Sequence, residues 1–397
     1  MRSNIRLFTL ALLVTVCGTG GLLAQDRVLI RAEQVYTAEG DVISPGVVLV
    51  SDGKISFVGK SIELGLPATE VSVATVMPGL VNAAGSAGLT GREAEITREV
   101  APDFEAVRSI DWGAREFKEL LDQGVTTVHV LPGTDSVFCG SSCIIKTAGV
   151  SRVANAEKGL VVAICSDPAS GNRSRSRPDS IYVRQPTNRM GVVWIVRSVL
   201  HRVLNDVAVT ELDPSALETL QKTLKSDYPL FSVSRADFDI RSSLQLGERF
   251  GFQPTVVGGD EVYRMLEEFK QSEAPLIFTG MTVGSSVRAL RGEEGTELRW
   301  NVPGQLEQAD VSFCLAGDNL LEQAQFALRF GLSREKALKS ITIDAAKLLD
   351  LDKQLGSLAV GKEADIVALS GDPLKPTSRV VWTMVGGKIF GATESSN

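Results

Sequence analysis

Short apolar runs separated by turn-forming residues occur at both ends of the chain. Near the start, three such runs within residues 28–58 flank the turn sequence Ser-Asp-Gly-Lys at 51–54, a pattern typical of strands in hairpins. Near the end, residues 364–390 repeat the pattern with Gly-rich turns. Because neither set can bury two faces by itself, we predict that residues 25–77 and 350–397 pair into one small β-sandwich.

Between these ends, apolar strand-like runs alternate with helical patterns, which is typical of parallel βα units. Residues 114–123, for example, have a helical pattern that stops at Gly124, and the β-branched run 125–131 follows. About eight units of this kind can be recognised. We therefore predict an α/β protein whose residues 78–349 form a closed (β/α)8 barrel of the TIM type.

The first 24 residues differ from the rest of the chain. Arg2 and Arg6 precede an apolar run at 7–16, and the segment ends in the small residue Ala24, which is the pattern of a secretory signal peptide. The apolar run is too short to span a bilayer comfortably. We expect a periplasmic or secreted protein, cleaved near Ala24, with no stable membrane insertion.

Composition narrows the classes of partner. A net charge of −7 argues against nucleic acid or an anionic membrane surface as the usual partner, and an apolar fraction of 44% supports a large core. The segment after residue 24 contains four cysteines, at 139, 143, 165 and 314. They are either buried small hydrophobic residues or, for Cys139 and Cys143, partners in a local disulfide that spacing cannot establish.

Two motifs carry a resemblance to a known family. Residues 78–86 read Pro-Gly-Leu-Val-Asn-Ala-Ala-Gly-Ser, and residues 356–367 read Gly-Ser-Leu-Ala-Val-Gly-Lys-Glu-Ala-Asp-Ile-Val. They resemble the Pro-Gly-Leu-Ile-Asp-x-His-x-His and Gly-Ser-Leu-x-x-Gly-Lys-x-Ala-Asp-Leu-Val motifs of the metal-dependent amidohydrolases. The segments most similar to the imidazolonepropionase-like branch of that superfamily are 124–127, 144–146 and 189–191.

The resemblance implies hydrolysis of non-peptide carbon–nitrogen bonds, of the cyclic amide type, by zinc or another divalent metal held by four histidines and one aspartate. This chain, however, has only two histidines, His129 and His201. The matching ligand positions are occupied by Ala84, Ser86, Ser232 or Ser234, and Gly258. The aspartate alone is kept, as Asp318. Since one carboxylate does not make a zinc site, we expect no metal cofactor.

Asp318 and Arg235 are the first candidates for a functional site. Asp318 is either a general base or the N-cap of a helix that begins near Leu320. Arg235 follows the missing ligand positions on its strand, and it either pairs with Asp237 or Asp239 or binds an anionic group of a ligand.

Three further side chains bear on the site. Lys146 is a second candidate for substrate binding. His129 lies on an apolar strand, where a core histidine is a commoner finding than a ligand, and His201 lies on a helical pattern and is interpreted as structural.

Two hypotheses of function follow. In the first, the protein is a catalytically degenerate amidohydrolase that acts as a binding or scaffold protein, whose partner is a small molecule, an intact paralogue or a second copy of itself. In the alternative, it hydrolyses a carbon–nitrogen bond at a site rebuilt from Asp318, Lys146, Asp260 or Glu261. An open, polar barrel mouth would favour ligand binding, and a filled one would favour a scaffold.

Overall fold

The computed structural model describes residues 27–65, 67–91, 93–169, 185–207, 212–281 and 299–391. The predicted signal peptide, residues 1–24, lies outside these ranges.

Strands from both ends of the chain form one seven-stranded sheet in the order β15-β14-β13-β4-β1-β2-β3. The strands are β1 (Arg27–Val35), β2 (Gly46–Ser51), β3 (Lys54–Gly59), β4 (Thr69–Pro78), β13 (Ile366–Leu369), β14 (Val380–Val385) and β15 (Lys388–Phe390). Ile30, Ile55 and Met384 belong to one buried cluster. The turns at Gly53 and Gly387 also touch, since a Cβ on Gly387 would lie 2.7 Å from the Gly53 Cα atom. The sheet is therefore folded over its own apolar core.

The second sheet has eight strands that follow one another in chain order. They are β5 (Leu80–Gly85), β6 (Val125–Val130), β7 (Phe138–Lys146), β8 (Val153–Ala163), β9 (Leu230–Ser234), β10 (Pro254–Gly258), β11 (Leu276–Phe278) and β12 (Phe313–Leu315). The first and last strands meet where the Gly317 amide donates to Asn82 Oδ1 at 3.0 Å. This arrangement confirms the predicted barrel.

The barrel departs from eight equal βα units at one strand. β7 runs antiparallel to both β6 and β8. Only residues 131–137 join β6 to β7, whereas a parallel neighbour needs a crossover of about a dozen residues or more. The short Pro132-Gly133 connection therefore forces the chain to reverse, and no helix separates these strands.

Helices surround the barrel, and those of the described ranges are α1 (Glu116–Asp122), α2 (Arg189–Leu204), α3 (Pro214–Leu224), α4 (Asp237–Phe250), α5 (Leu266–Ser272), α6 (Val302–Gln308), α7 (Leu320–Arg329), α8 (Arg334–Ser340) and α9 (Ile343–Leu348). Within these same ranges, none is long and apolar enough to cross a membrane. Inside the barrel, inward-facing side chains such as Val81, Phe231 and Ile277 form a buried apolar cluster, so the interior below the strand ends is filled.

Lys146 lies at the junction of the barrel with the folded sheet. It pairs with Thr127, near the beginning of β6, and so lies at the amino-terminal end of the parallel strands. Its Nζ is 2.6 Å from Asp365 Oδ2 and 2.6 Å from Glu363 Oε2. Burial alone would lower the pKa of Lys146, but these two carboxylates raise it above its ordinary value. The structure thus gives Lys146 a position away from the barrel mouth, which does not fit the substrate-binding role expected for it.

The four cysteines that follow the predicted signal peptide are buried thiols. Cys139 and Cys143 both lie on β7 and are not joined to each other. Burial raises the pKa of Cys143 to about 12, which keeps this thiol protonated at neutral pH. The interpretation as small buried residues fits this arrangement better than a local disulfide does.

Candidate ligand-binding site at the barrel mouth

A cavity of about 790 Å³ opens at the carboxyl ends of the barrel strands. This is the end at which barrel proteins build their active sites. The polar and functionally expected residues on its wall include Asn82, Ala84, Ser86, Arg235, Gly258 and Asp318. The mouth is therefore open and polar, which is the arrangement expected of a binding site.

Strand β9 turns its serines away from this cavity. Ser232 is in register with Val162 and Val256, which belong to the clusters outside the barrel, whereas Val233 belongs to the inner cluster. Ser234, two residues on, shares the outer face, and its Oγ lies 3.0 Å from that of Ser232. The resemblance suggested that these two positions correspond to lost metal ligands. In this structure a side chain at either position points to the helices and does not reach the cavity.

Arg235 directly follows β9 and faces the cavity. It is in phase with Val233, and both residues line the cavity wall. The alternation of the sequence contained this information, because residues two apart on a strand share a face. The resemblance to a His-x-His motif instead matches Ser232 and Ser234, which lie on the other face.

Gly258 cannot carry a ligand in this backbone. Its φ is 113°, a conformation that favours glycine, and a Cβ there would lie 2.7 Å from the Ser234 carbonyl oxygen. Ala84 contributes only a methyl group to the wall, and its amide donates to Asn82 Oδ1 at 3.1 Å. Two of the positions that match the family's ligands thus offer no side-chain donor to a metal.

Asp318 lines the cavity with an exposed side chain. The N-cap of α7 is Asn319, with φ 52°, and no side chain caps this helix. The Asp318 carbonyl accepts a hydrogen bond of 2.6 Å from Gln323 Nε2. The interpretation of Asp318 as the cap is therefore wrong, and its carboxylate is available to the cavity.

The cavity wall offers few ligands for the metal that the resemblance implies. The donors facing the cavity at the matching positions are the Ser86 hydroxyl and the Asp318 carboxylate, and zinc prefers three or four imidazole, thiolate or carboxylate ligands. In the part of the chain that the structure describes, no three His, Cys, Asp or Glu side chains are grouped as metal ligands. The residues at the mouth do not fit the metal site of the family.

Arg235 is held by a carboxylate that the sequence did not single out. Its Nη1 lies 2.7 Å from Asp167 Oδ2 and 3.6 Å from Cys165 Sγ. Asp167 lies in a short 3-10 turn after β8, and the same Oδ2 accepts a bond of 2.5 Å from Thr134 Oγ1. Burial would lower the pKa of Arg235, but Cys165, Asp167 and Asp260 raise it. The guanidinium is thus charged and fixed in direction.

The carboxylates considered as partners of Arg235 pair elsewhere. Asp239 Oδ1 is 2.7 Å from Arg189 Nε, and Asp237 Oδ2 is 3.6 Å from Arg241 Nη1. The actual partner, Asp167, is 68 residues away along the chain. A contact of that range depends on how β8 and β9 pair, which local sequence does not reveal.

Carboxylates form another part of the cavity wall. Glu93, Glu116 and Asp135 line it, and Glu116 Oε2 accepts a hydrogen bond of 2.9 Å from the Gly88 amide. Burial raises the pKa of Glu93, as do the charges of Glu116 and Asp135, although a hydrogen bond with Ser86 acts in the opposite direction. These residues lie on loops and a helix start, where the sequence carried no motif that pointed to them.

The remaining candidates lie away from the cavity wall. Glu261 Oε2 accepts a bond of 3.4 Å from the Asp237 amide and is 3.7 Å from Arg264 Nε, while Asp260 is buried. His129 is a core residue whose Nδ1 is 2.9 Å from the Ala83 carbonyl oxygen. These positions do not bring the three side chains together with Asp318.

Residues 302–390 match the family model described as the amidohydrolase family. The barrel and the folded sheet, taken together, have the same architecture as solved amidohydrolases. The amidohydrolase from Thermotoga maritima MSB8 superposes with a TM-score of 0.81 at 24% identity, covering 91% of this chain and 99% of that one. The carboxyl-terminal part of the chain thus matches the amidohydrolase family model, and the whole chain has the fold of solved amidohydrolases.

Two other solved structures have a similar fold at lower sequence identity. A Xaa-Pro dipeptidase with bound methionine in its active site has a TM-score of 0.59 at 14% identity, covering 92% of this chain and 99% of that one. The ochratoxinase of A. niger has a TM-score of 0.57 at 16% identity, covering 93% and 96%. No curated protein matches this chain. At these identities the likeness concerns the fold.

Proposed function

We propose that this protein is a catalytically degenerate, metal-independent member of the amidohydrolase superfamily that binds a small molecule in the cavity at the barrel mouth. The observation that carries the proposal is the combination of an open polar cavity with ligand positions that cannot hold a metal. Gly258 has no room for a Cβ, and Ser232 and Ser234 face outward. A scaffold that needed only the outer surface would have no use for such a cavity.

The alternative function is that of an active hydrolase with a site rebuilt around Asp318. The exposed carboxylate of Asp318 is the observation that favours it, since a general base must be able to reach the substrate. Against it, Lys146, Asp260 and Glu261 lie outside the cavity wall. Asp318 would then act without the neighbouring histidine or metal that usually assists such a base.

Metal content separates these two proposals. The protein is incubated with zinc, iron or manganese, passed through a desalting column and analysed by mass spectrometry, beside the variant Asp318→Ala. We expect less than one metal per ten chains in both proteins, because the mouth lacks the donors. One metal per chain that disappears in Asp318→Ala would contradict the binding proposal and favour the hydrolase.

An activity assay with cyclic amides and imides completes the comparison. We expect no turnover above that of Asp318→Ala. Asp318-dependent hydrolysis of any member of the panel would establish the competing function.

The proposal includes an exported location and leaves room for a protein partner. The chain would act in the periplasm or outside the cell, either alone, as a homo-oligomer or beside an intact paralogue. Light scattering of the purified protein measures the first two arrangements. Co-purification with an intact paralogue from the native source tests the third.

A further inference from the structure

We propose that the cavity recognises a small organic carboxylate through the guanidinium of Arg235, and that Glu93 and Glu116 select within this class for molecules whose other end is cationic. The inference rests on the proposed function, because it names the ligand class of the same cavity.

The guanidinium of Arg235 is held through one of its three nitrogens. Its contacts with Asp167 and Cys165 both use Nη1. Among the described residues, Nε and Nη2 make no hydrogen bond, so they keep three N–H donors on a side chain that lines the cavity. Two of these donors, one on each nitrogen, are parallel and match the two oxygens of a carboxylate.

This pair of donors is held rigidly. Asp167 holds Nη1 at 2.7 Å and is itself held by Thr134 at 2.5 Å, so the guanidinium is fixed before a ligand arrives. The side chain of Arg235 is 20% exposed, so part of it remains accessible from the cavity that it lines. A donor pair fixed in this way loses little conformational freedom on binding.

The cavity wall opposite Arg235 carries carboxylates. Three strands lie between β5 and β9 on each side of the ring of eight, so their carboxyl ends face each other across the mouth. Glu93 interacts with Ser86, which follows β5, and with Glu116 at the start of α1. Repulsion between these carboxylates is relieved by a cation placed between them. A molecule with an anionic end on Arg235 and a cationic end here would match both walls.

Three matched probes test the inference on the full mature chain: ε-aminocaproate has both charges, caproate has only the carboxylate, and hexylamine has only the cation. Their dissociation constants are measured by NMR titration. We expect ε-aminocaproate to bind best, caproate to bind more weakly, and Arg235→Met to weaken both by about tenfold or more. Arg235→Lys should weaken them as well, because an ammonium lacks the paired donors.

Matched variants keep the test independent of folding. Glu93→Gln leaves the Arg235–Asp167 pair intact and should weaken ε-aminocaproate but not caproate. Arg31→Met removes an exposed arginine of the folded sheet, paired with Glu70, and should change nothing. Thermal unfolding followed by circular dichroism shows whether Arg235→Met is folded.

Any of three results would overturn the inference. Arg235→Met could bind both carboxylates as tightly as the wild type does. The wild type could bind hexylamine more tightly than caproate, or it could bind neither carboxylate. The metal measurement distinguishes these failures from failure of the proposed function. A protein without stoichiometric metal that binds hexylamine alone would keep its proposed function and lose this ligand class.

Discussion

Replacing His129 with glutamine is expected to remove a loss of stability that the protein suffers as the pH falls below about 6.5. His129 is fully buried, its Nδ1 lies 2.9 Å from the Ala83 carbonyl oxygen, and its Nε2 lies 2.8 Å from Ser142 Oγ. Burial lowers the pKa of His129 from 6.5 to about 3, since the charged ring would lose its water.

Because this pKa is lower in the folded protein, the free energy of unfolding falls as the pH falls. The unfolded chain takes up a proton on His129 near pH 6.5, whereas the folded chain resists it until about pH 3. The stabilisation is therefore complete above pH 6.5 and is lost as the pH falls between these values. The expected slope is about 1.4 kcal/mol per pH unit, which reaches about 5 kcal/mol in total.

Urea unfolding at a series of pH values measures this slope in wild type and in His129→Gln. The protein's other histidine is the matched control. His201 is exposed on α2, so His201→Gln should keep the slope of the wild type. Because only the difference between variants is used, the titration of other groups cancels. Equal slopes in His129→Gln and His201→Gln would show that His129 is not protected from protonation.

Replacing Lys146 with methionine is expected to destabilise the protein by about 3–5 kcal/mol, because it leaves a buried carboxylate without its cation. The Asp365 side chain is only 3% exposed and lies 2.6 Å from the Lys146 ammonium. Its other oxygen already accepts a bond of 2.9 Å from the Gly386 amide. Asp365 also holds the barrel to the sheet, since its carbonyl accepts from the Gly79 amide.

A double variant identifies the cause. Lys146→Met combined with Asp365→Asn removes the unpaired charge while keeping an oxygen for Gly386, so part of the lost stability should return. Lys222→Met breaks an exposed pair with Glu218, and because water screens such a pair the free energy of unfolding should hardly change. If Lys146→Met were no more harmful than Lys222→Met, the junction would not depend on this ion pair.

Local patterns predicted the parts of the fold that depend on neighbouring residues. The alternating runs near both termini do become strands of one sheet, and the βα alternation does become a barrel. The antiparallel β7 was missed because its direction depends on the length of the connection before it. Asp167 and Glu93 were missed because each acts through contacts made by loops distant in sequence.

By itself, the sequence determined which side chains of the motif it resembles are missing. Two histidines cannot supply the four that the family's metal site uses, whatever the fold. Only the tertiary structure decided what occupies the mouth instead, because the facing of Ser232 and the pairing of Arg235 with Asp167 depend on strand register and on which strand ends meet. Register is a property of the assembled sheet, so it determines which side chains face the cavity and which face the helices.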